Sequence, residues 1–370
     1  MSILSIIKAK LSNILFQIYP SFRVRKFMKK IQLGHVEIYG GYDAYPHIIE
    51  NCECFLSKEE LENKTFMDKI IHDIVYSYLK YGTNANEYFC YNFPVRTSEE
   101  RATYLPRKRK DDLLIKNMGK NWSHCFNQIK DKYRFYKIAK DFFGRDACEI
   151  ASPLDYDSFV SFMDKHKKGI AKPSRGGCGS GIIIIDLQNF DDNIKKTFDY
   201  LLSFNTPFIL EEIVEQDDRI AQWNASSLNT LRIPSFMTAQ GNHIIYPSIR
   251  IGRAGSIVDN AGSGGTFAAI DPQTGKIITK GYDKRGNVFE KHPDSQMIYL
   301  GAQIPKWNEL LAFVAKLHES MPKEHKYLAF DLALSTKGWV VIEANWGEMS
   351  MPQIEFGKGL YKEFSELLFN

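Results

Sequence analysis

The sequence predicts an α+β fold with a mostly helical N-terminal region, and three observations carry that prediction. Residues 1 to about 120 show helix signals: an apolar stripe over Ile3 to Ile18, the S-x-x-E box Ser57 to Glu60, and a stop at Gly82. From about residue 126 the texture changes to strand-like runs alternating with helices. Near the C-terminus two apolar, β-branched-rich runs flank Ser335-Thr336-Lys337-Gly338, the pattern of a β-hairpin. With 370 residues and 42.6 kDa the chain exceeds one typical core. Three parts are expected: a mainly helical region 1–125 with a basic amphipathic start, a subdomain 126–225 holding a glycine-rich loop and a buried strand, and a C-terminal subdomain 226–370 holding a metal site.

Composition sets limits on function. Hydrophobic content of 44% and charged content of 25% are ordinary for a folded protein. A net charge of +4 carries no nucleic-acid footprint, so no nucleic-acid partner is expected. Six cysteines without CxxC pairing read as a reducing compartment, hence a cytoplasmic protein, and Cys52-x-Cys54 with His47 is too incomplete for a zinc site. No apolar run reaches the roughly 18 residues needed to span a bilayer. Before Glu37 there is no acid, while Lys8, Lys10, Arg23, Arg25, Lys26, Lys29 and Lys30 make that segment +7. Residues 1–30 therefore suit peripheral contact with an anionic inner membrane face, and suit equally a helix packed on its own domain with a solvated basic edge.

The elements follow in order. A helix from Lys58 to Tyr81 ends at Gly82, and the basic run Arg107 to Lys110 leads into a helix ending near Gly119. A helix from Asp131 to Phe143 stops at Gly144. Strand-like residues 169–173 precede the glycine-rich loop, and residues 181–187 read as the next strand. A helix near 190–203 leads to the buried strand PFILEEIV. Residues 228–300 are β-rich, with turn signals at Gln240-Gly241-Asn242 and Asp271 to Gly275. A helix from about Lys306 to Glu319 precedes the hairpin, and a last helix starts near Lys358.

The hairpin carries the clearest chemistry. A turn centred on Lys337 sets Asp331 opposite Glu343, and strand alternation puts Asn345 on the same face. The other face collects Phe330, Leu332, Leu334, Val340 and Ile342, which would bury and leave the acids pointing away from the core. Two opposed carboxylates repel unless a cation lies between them, and Mg²⁺ favours a few carboxylate oxygens together with phosphate and water. That points to a nucleotide; on spacing alone a solvent-facing polar stripe fits as well. In AKPSRGGCGSGIIII, Lys172 closes a strand and Gly176, Gly177, Gly179 and Gly181 fill the turn. Such a loop can line a concavity with N–H groups for phosphate oxygens, or be merely a tight turn. It joins two strands and so is not a Walker A loop. Glu211, Glu212 and Glu215 at the end of PFILEEIVEQ offer backbone and carboxylates to an adenine edge and ribose, or form a solvated strand end.

Taken in order, the DK helix start, the KP strand with its glycine flap, the EEIVE strand end and the D…E-x-N hairpin resemble the ATP-grasp superfamily. More narrowly, SSLNTLRI, RIGRAGSIVDNAGSGG, AIDPQTGK, KHPDS, GAQIPKW and FDLALSTKGWVVIEAN are similar to the sugar-transfer-associated ATP-grasp family of polysaccharide gene clusters, over about residues 125–355. The chain departs from that family's usual GWD and EGN with Ala329-Phe330-Asp331 and Glu343-Ala344-Asn345, which keeps the donors.

The resemblance implies an ATP-grasp fold, two α+β subdomains clasping ATP under the glycine flap. By similarity, Lys132 and Lys172 would meet the phosphates. Glu211 and the backbone of Glu212, Ile213 and Val214 would meet adenine, with Glu215 or Asp218 at the ribose. Asp331, Glu343 and Asn345 would carry Mg²⁺, with Glu343 bridging two ions. It also implies an ATP-dependent carboxylate–amine ligase acting on a small-molecule or glycan substrate, lipid-linked where the membrane-leaning start is used. Arg232, Arg250 and Arg253 are the candidates for holding the acyl acceptor and the developing oxyanion, alongside Lys172, with Asn229 and the loop from Asp259 to Gly265 shaping the mouth. A kinase acting on a sugar or polyol hydroxyl is the alternative on the same scaffold.

Overall fold

A computed structural model of the chain describes residues 20–32, 37–38, 42–177, 179–259, 261–347 and 349–370. The basic amphipathic segment expected over the first eighteen residues lies outside them. No helix among the described residues is long and apolar enough to cross a membrane. Two compact units emerge: residues 1–112 with 348–362, and residues 113–347 with 363–370.

The first unit is helical apart from the short strand pair β1 (Glu37–Ile38) and β2 (Tyr42–Asp43). The expected helix from Lys58 to Tyr81 is two helices, Lys58–Glu62 and Lys64–Tyr81. Asn63 ends the first with a non-helical backbone and caps the second by accepting from the Phe66 N–H at 3.1 Å. A side chain that offers this bond competes with helix continuation. The Ser57 to Glu60 capping box and the left-handed Gly82 cap are both present. A further helix that no expectation covers, Ser350–Phe356, belongs to this unit. Gln353 on it accepts from the Leu105 N–H at 2.7 Å and donates to the Leu105 carbonyl at 3.0 Å.

The second unit holds two antiparallel sheets. The smaller runs β3 (Ala147–Ile150), β6 (Phe208–Glu211), β4 (Lys168–Pro173), β5 (Ile183–Asp186). Helices Tyr156–His166 and Ile194–Leu202 bring Phe159, Met163, Phe198 and Leu201 into its core with Leu210. In the larger sheet β7 (Thr230–Thr238) also carries β8 (Gly241–Ile244), and the order across is β12 (Val288–Phe289), β11 (Gly281–Tyr282), β10 (Thr266–Ala269), β9 (Ser248–Ile251), β7, β13 (Tyr327–Ser335), β14 (Gly338–Asn345). Every residue of β13 is buried, because β7 and β14 flank it and helix Trp307–Glu319 packs on this sheet. After β6 the chain crosses to the hairpin, where Asp217 N–H donates to Leu334 O and Thr336 N–H to Glu215 O, each at 3.0 Å.

The β13–β14 register corrects one expectation. The turn is the two residues Thr336-Lys337, with Ser335 opposite Gly338 and Leu332 opposite Val341. Continued without interruption, that ladder would set Asp331 against Ile342. A bulge beyond Leu332 adds one residue to β14, so Asp331 does face Glu343. The apolar partners of Leu332 and Leu334 are consequently Val341 and Trp339, not Ile342 and Val340. The acids are also not on an open face, since Asp331 is 1% exposed.

Candidate active site

Pairing on both edges of β13 lays Asp331 between Arg232 on β7 and Glu343 on β14. Arg232 grips the carboxylate with two donors, Nε to Oδ1 and Nη2 to Oδ2, the latter at 2.9 Å, and Arg250 Nη1 lies 3.2 Å from Oδ2. Burial pushes the Asp331 carboxyl up, but the two guanidiniums outweigh it and hold it below the usual carboxylate range. Glu343 moves the opposite way: burial raises it, and the Asp331 charge beside it raises it further. The two residues are direct partners across the β13–β14 ladder. Asn345 Oδ1 accepts from the Gly347 N–H at 2.6 Å, which turns its amide oxygen to a fixed direction and leaves a second lone pair. Two facing acids next to an amide oxygen offer three hard oxygen donors on one ribbon, so these residues fit Mg²⁺.

Opposite this set stand two lysines. Lys172 on β4 donates to Glu211 Oε2 at 2.9 Å. Asp131 caps the helix Lys132–Ile138 instead of lying inside it, which puts Lys132 at the first helical position. The Lys132 amine donates to the carbonyls of Pro173 and Gly176, both at 3.2 Å. Burial lowers the Lys132 pKa, the Glu343 charge opposes that shift, and Lys172 adds to it. Lys132, Lys172, Glu211 and Glu343 thus form one electrostatic cluster across the two sheets. The glycine loop follows directly: Gly176 has φ +139°, and a side chain there would be strained even though the space around it is open.

Glu211 faces inward. The residue is 1% exposed, and its Oε2 accepts from Arg145 Nε at 2.8 Å and Nη2 at 2.6 Å besides Lys172. Burial pushes this carboxyl up, but Arg145 and Lys172 hold it below the usual range. Beyond it the strand end opens: Ile213, Glu215 and Asp218 are exposed, and Glu212 and Val214 are half-buried. Glu212 Oε2 accepts from the Asp146 N–H at 3.2 Å. The backbone of Glu215 is tied to the hairpin turn at Thr336, and Asp218 opens the short helix Asp218–Ala221.

The arginines divide. Arg250 belongs to the buried cluster, donating to Thr230 Oγ1 at 2.8 Å and to Asp259 Oδ1 at 3.2 Å while reaching Asp331. Arg253 is more open and pairs with Asp294 through Nε at 2.8 Å and Nη2 at 3.1 Å. Asp294 also accepts from the Ala254 N–H at 2.8 Å, and Arg253 holds its carboxyl down at about 2. His292 donates from Nε2 to Gly252 O at 3.1 Å, so the His292-Pro293-Asp294 turn clamps the segment Gly252 to Ala254. Asn229 is fully buried; it donates to Asn224 O at 2.8 Å and supports this segment from behind. Arg145 is a feature of this site that the sequence patterns do not single out, whereas Thr230 and the clamp lie within SSLNTLRI and KHPDS, although their contacts cannot be read from those motifs. A charged residue two positions before a buried strand is the one signal that marks Arg145.

A first antiparallel sheet that supplies Lys172, a helix start that supplies Lys132, and an acidic ribbon of a second antiparallel sheet with arginines behind it are the parts of an ATP-grasp protein. The chain belongs to the sugar-transfer associated ATP-grasp family, whose model matches residues 120–367. No curated protein matches it. Among solved structures, D-alanyl-alanine synthetase A from Vibrio cholerae is 14% identical over 66% of this chain and 66% of that one, with a TM-score of 0.38. The ATP-grasp ligase PsnB, complexed with minimal precursor, Mg and ADP, is 12% identical over 73% and 68%, with a TM-score of 0.40. N5-carboxyaminoimidazole synthase from Aspergillus clavatus is 9% identical over 61% of this chain and 46% of that one, with a TM-score of 0.37. The chain thus spans 66% of the length of the Vibrio cholerae synthetase and 46% of that of the Aspergillus clavatus synthase.

Proposed function

We propose that the protein is an ATP-dependent carboxylate–amine ligase that joins an amino acid or other amine to a sugar carboxylate, or an acidic sugar to an amino compound, in capsule or exopolysaccharide synthesis. The observation that carries this reading is Lys132, held by the Pro173 and Gly176 carbonyls with its charge coupled to Glu343 and Lys172, together with Asp331, which faces Glu343 and is gripped by Arg232 and Arg250.

A carboxylate is a poor electrophile. Transfer of the γ-phosphoryl group to one of its oxygens, with the bond to the β-phosphate oxygen breaking, yields ADP and an acylphosphate. The amine then attacks the acyl carbon, the C–N bond forms, phosphate leaves with the C–O electron pair, and the amine proton passes to solvent or phosphate. Lys132 and Lys172 would neutralise the transferred oxygens, and the glycine flap would keep water from the acylphosphate. Asp331, Glu343 and Asn345 would hold Mg²⁺, two ions if Glu343 bridges them, which supplies charge neutralisation and alignment of the phosphates. Arg232 and Arg250 reach the same ribbon and would steady the developing oxyanion. The strand end from Glu212 to Val214 would receive adenine, with Glu215 or Asp218 at the ribose. In this reading Glu211, buried under Arg145 and Lys172, serves the phosphates indirectly by aiming Lys172 and does not itself meet adenine.

Mg-ATP incubated with a matrix of uronic acids and amino acids tests the assignment by ADP release and product mass. A ligase releases ADP only when acid and amine are both present. ADP from a sugar or polyol alone, with phosphate retained on the product, would establish a kinase instead. The basic start suits lipid-linked substrates at the cytoplasmic face of a membrane, and flotation with anionic liposomes checks this: the full chain should float and a chain lacking residues 1–35 should not. Equal flotation removes the membrane contact.

A further inference from the structure

Arg145 spends its whole guanidinium on three separate pieces of the second unit. Nε and Nη2 go to Glu211 Oε2 on the adenine-side strand, and Nη1 donates to Phe143 O at 2.9 Å and to Val341 O at 2.7 Å. Val341 lies at the bulge of β14, two residues before Glu343. The Arg145 and Glu211 side chains are each 2% exposed.

An ion pair this deep is a poor means of stabilising a core, because desolvation offsets most of the attraction. What a planar fork provides is direction. One edge of Arg145 holds the carboxylate that aims Lys172, and the other holds the carbonyl where the metal ribbon kinks. We propose that Arg145 is a positioning residue that locks the phosphate-binding lysine and the metal-binding ribbon into one geometry, so that nucleotide and Mg²⁺ reinforce each other's binding. This rests on the ATP and Mg²⁺ reading above. Lysine at this position has a single nitrogen. It can still neutralise Glu211 but cannot also reach Val341 O in the same geometry.

Calorimetric titration of ADP into the full chain, once in EDTA and once in excess Mg²⁺, tests the idea without turnover. Wild type should bind ADP more tightly with Mg²⁺. Arg145→Lys should leave ADP affinity in EDTA little changed while the gain from Mg²⁺ shrinks by about tenfold, the size typical when support behind a metal ligand is lost. Arg145→Met should weaken both. A Mg²⁺ gain in Arg145→Lys equal to that of wild type overturns the proposal, whatever happens to its melting temperature, and leaves Arg145 a packing residue. No ADP binding by wild type would sink the nucleotide reading itself, and this inference with it.

Discussion

Asp331 and Glu343 face each other across β13 and β14, although the turn at Thr336-Lys337 by itself would have put Ile342 in Glu343's place. The one-residue bulge makes the acid pair. Burial and the Asp331 charge raise the Glu343 carboxyl while Arg232 and Arg250 hold that of Asp331 down, so Glu343 is the acid whose ionised form a bound cation would favour. Glu343→Gln keeps the side-chain shape but cannot ionise, so it withholds one negative charge from a bound cation. ADP formation should fall by at least about 10²-fold, while the melting temperature stays level or rises. Retained turnover would remove Glu343 from the chemistry.

Arg232 leaves a buried carboxylate behind when it is truncated. Arg232→Met should destabilise the fold by up to about 3 kcal/mol, less than a fully orphaned charge costs because Arg250 still faces Asp331. Adding Asp331→Asn should recover much of that stability and none of the activity. Denaturant melts of the two single variants and the double give the coupling energy; additive effects would show that the pair is not the unit described.

Glycines in the arginine loop separate packing from freedom. A Cβ at Gly252 would meet Ser227 Oγ at 2.2 Å and Val258 O at 2.9 Å, whereas one at Gly262 meets nothing within 4 Å. Gly252→Ala should lower the melting temperature by several degrees and cut turnover by displacing Arg250 and Arg253. Gly262→Ala should melt as wild type does. Equal melting of both would contradict the close approach at Gly252.

The pH dependence has two parts with different signs. The folded Glu343 pKa lies above its unfolded value, so its contribution to stability declines as pH rises through that interval, while Mg²⁺ binding strengthens over the same rise. Proton release on Mg-ADP binding, read from calorimetry in buffers of different ionisation enthalpy, should therefore be larger at acid than at alkaline pH. Burial lowers the His292 pKa in the folded chain from 6.5, the Asp294 charge opposing it. The stability tied to neutral His292 is present above 6.5 and lost as pH falls below it, because the unfolded chain then takes up the proton first. The difference in melting temperature between pH 7.5 and 5.5, set partly by the other buried histidines, should shrink in His292→Gln. An unchanged difference would show that His292 does not feel the acid.

Much of the site is legible in the sequence because its residues sit on regular elements whose periods are short. The two-residue repeat of a strand places Asn345 with Glu343, while Lys132 is legible only through the family resemblance of the Asp131-Lys132 pair, whose capping role the structure supplies. Even so, a turn centred on Lys337 pairs Asp331 with Glu343 through the wrong turn length, and only the bulge makes the two agree. The Asn63 break escapes sequence patterning because a capping side chain and a helix-compatible neighbourhood look alike until backbone bonds are counted. Arg145, Thr230 and the His292-to-Asp294 clamp are harder still, since their partners are remote. Thr230 binds Asp259 29 positions away, His292 binds Gly252 40 positions away, and Arg145 binds Val341 196 positions away. No local pattern encodes such distances.

The sequence alone determined the family, through its ordered motifs, and the α+β class, and it set Asp331, Glu343 and Asn345 on one ribbon, since strand periodicity is a local property; Lys132 and Lys172 are expectations drawn from the family resemblance. Only the tertiary structure decided which charges neutralise which. Burying Asp331 and Glu211 between strands from different parts of the chain obliges each to find a partner, and the choice of Arg232 with Arg250 for one, and Arg145 with Lys172 for the other, follows from strand order across the sheets.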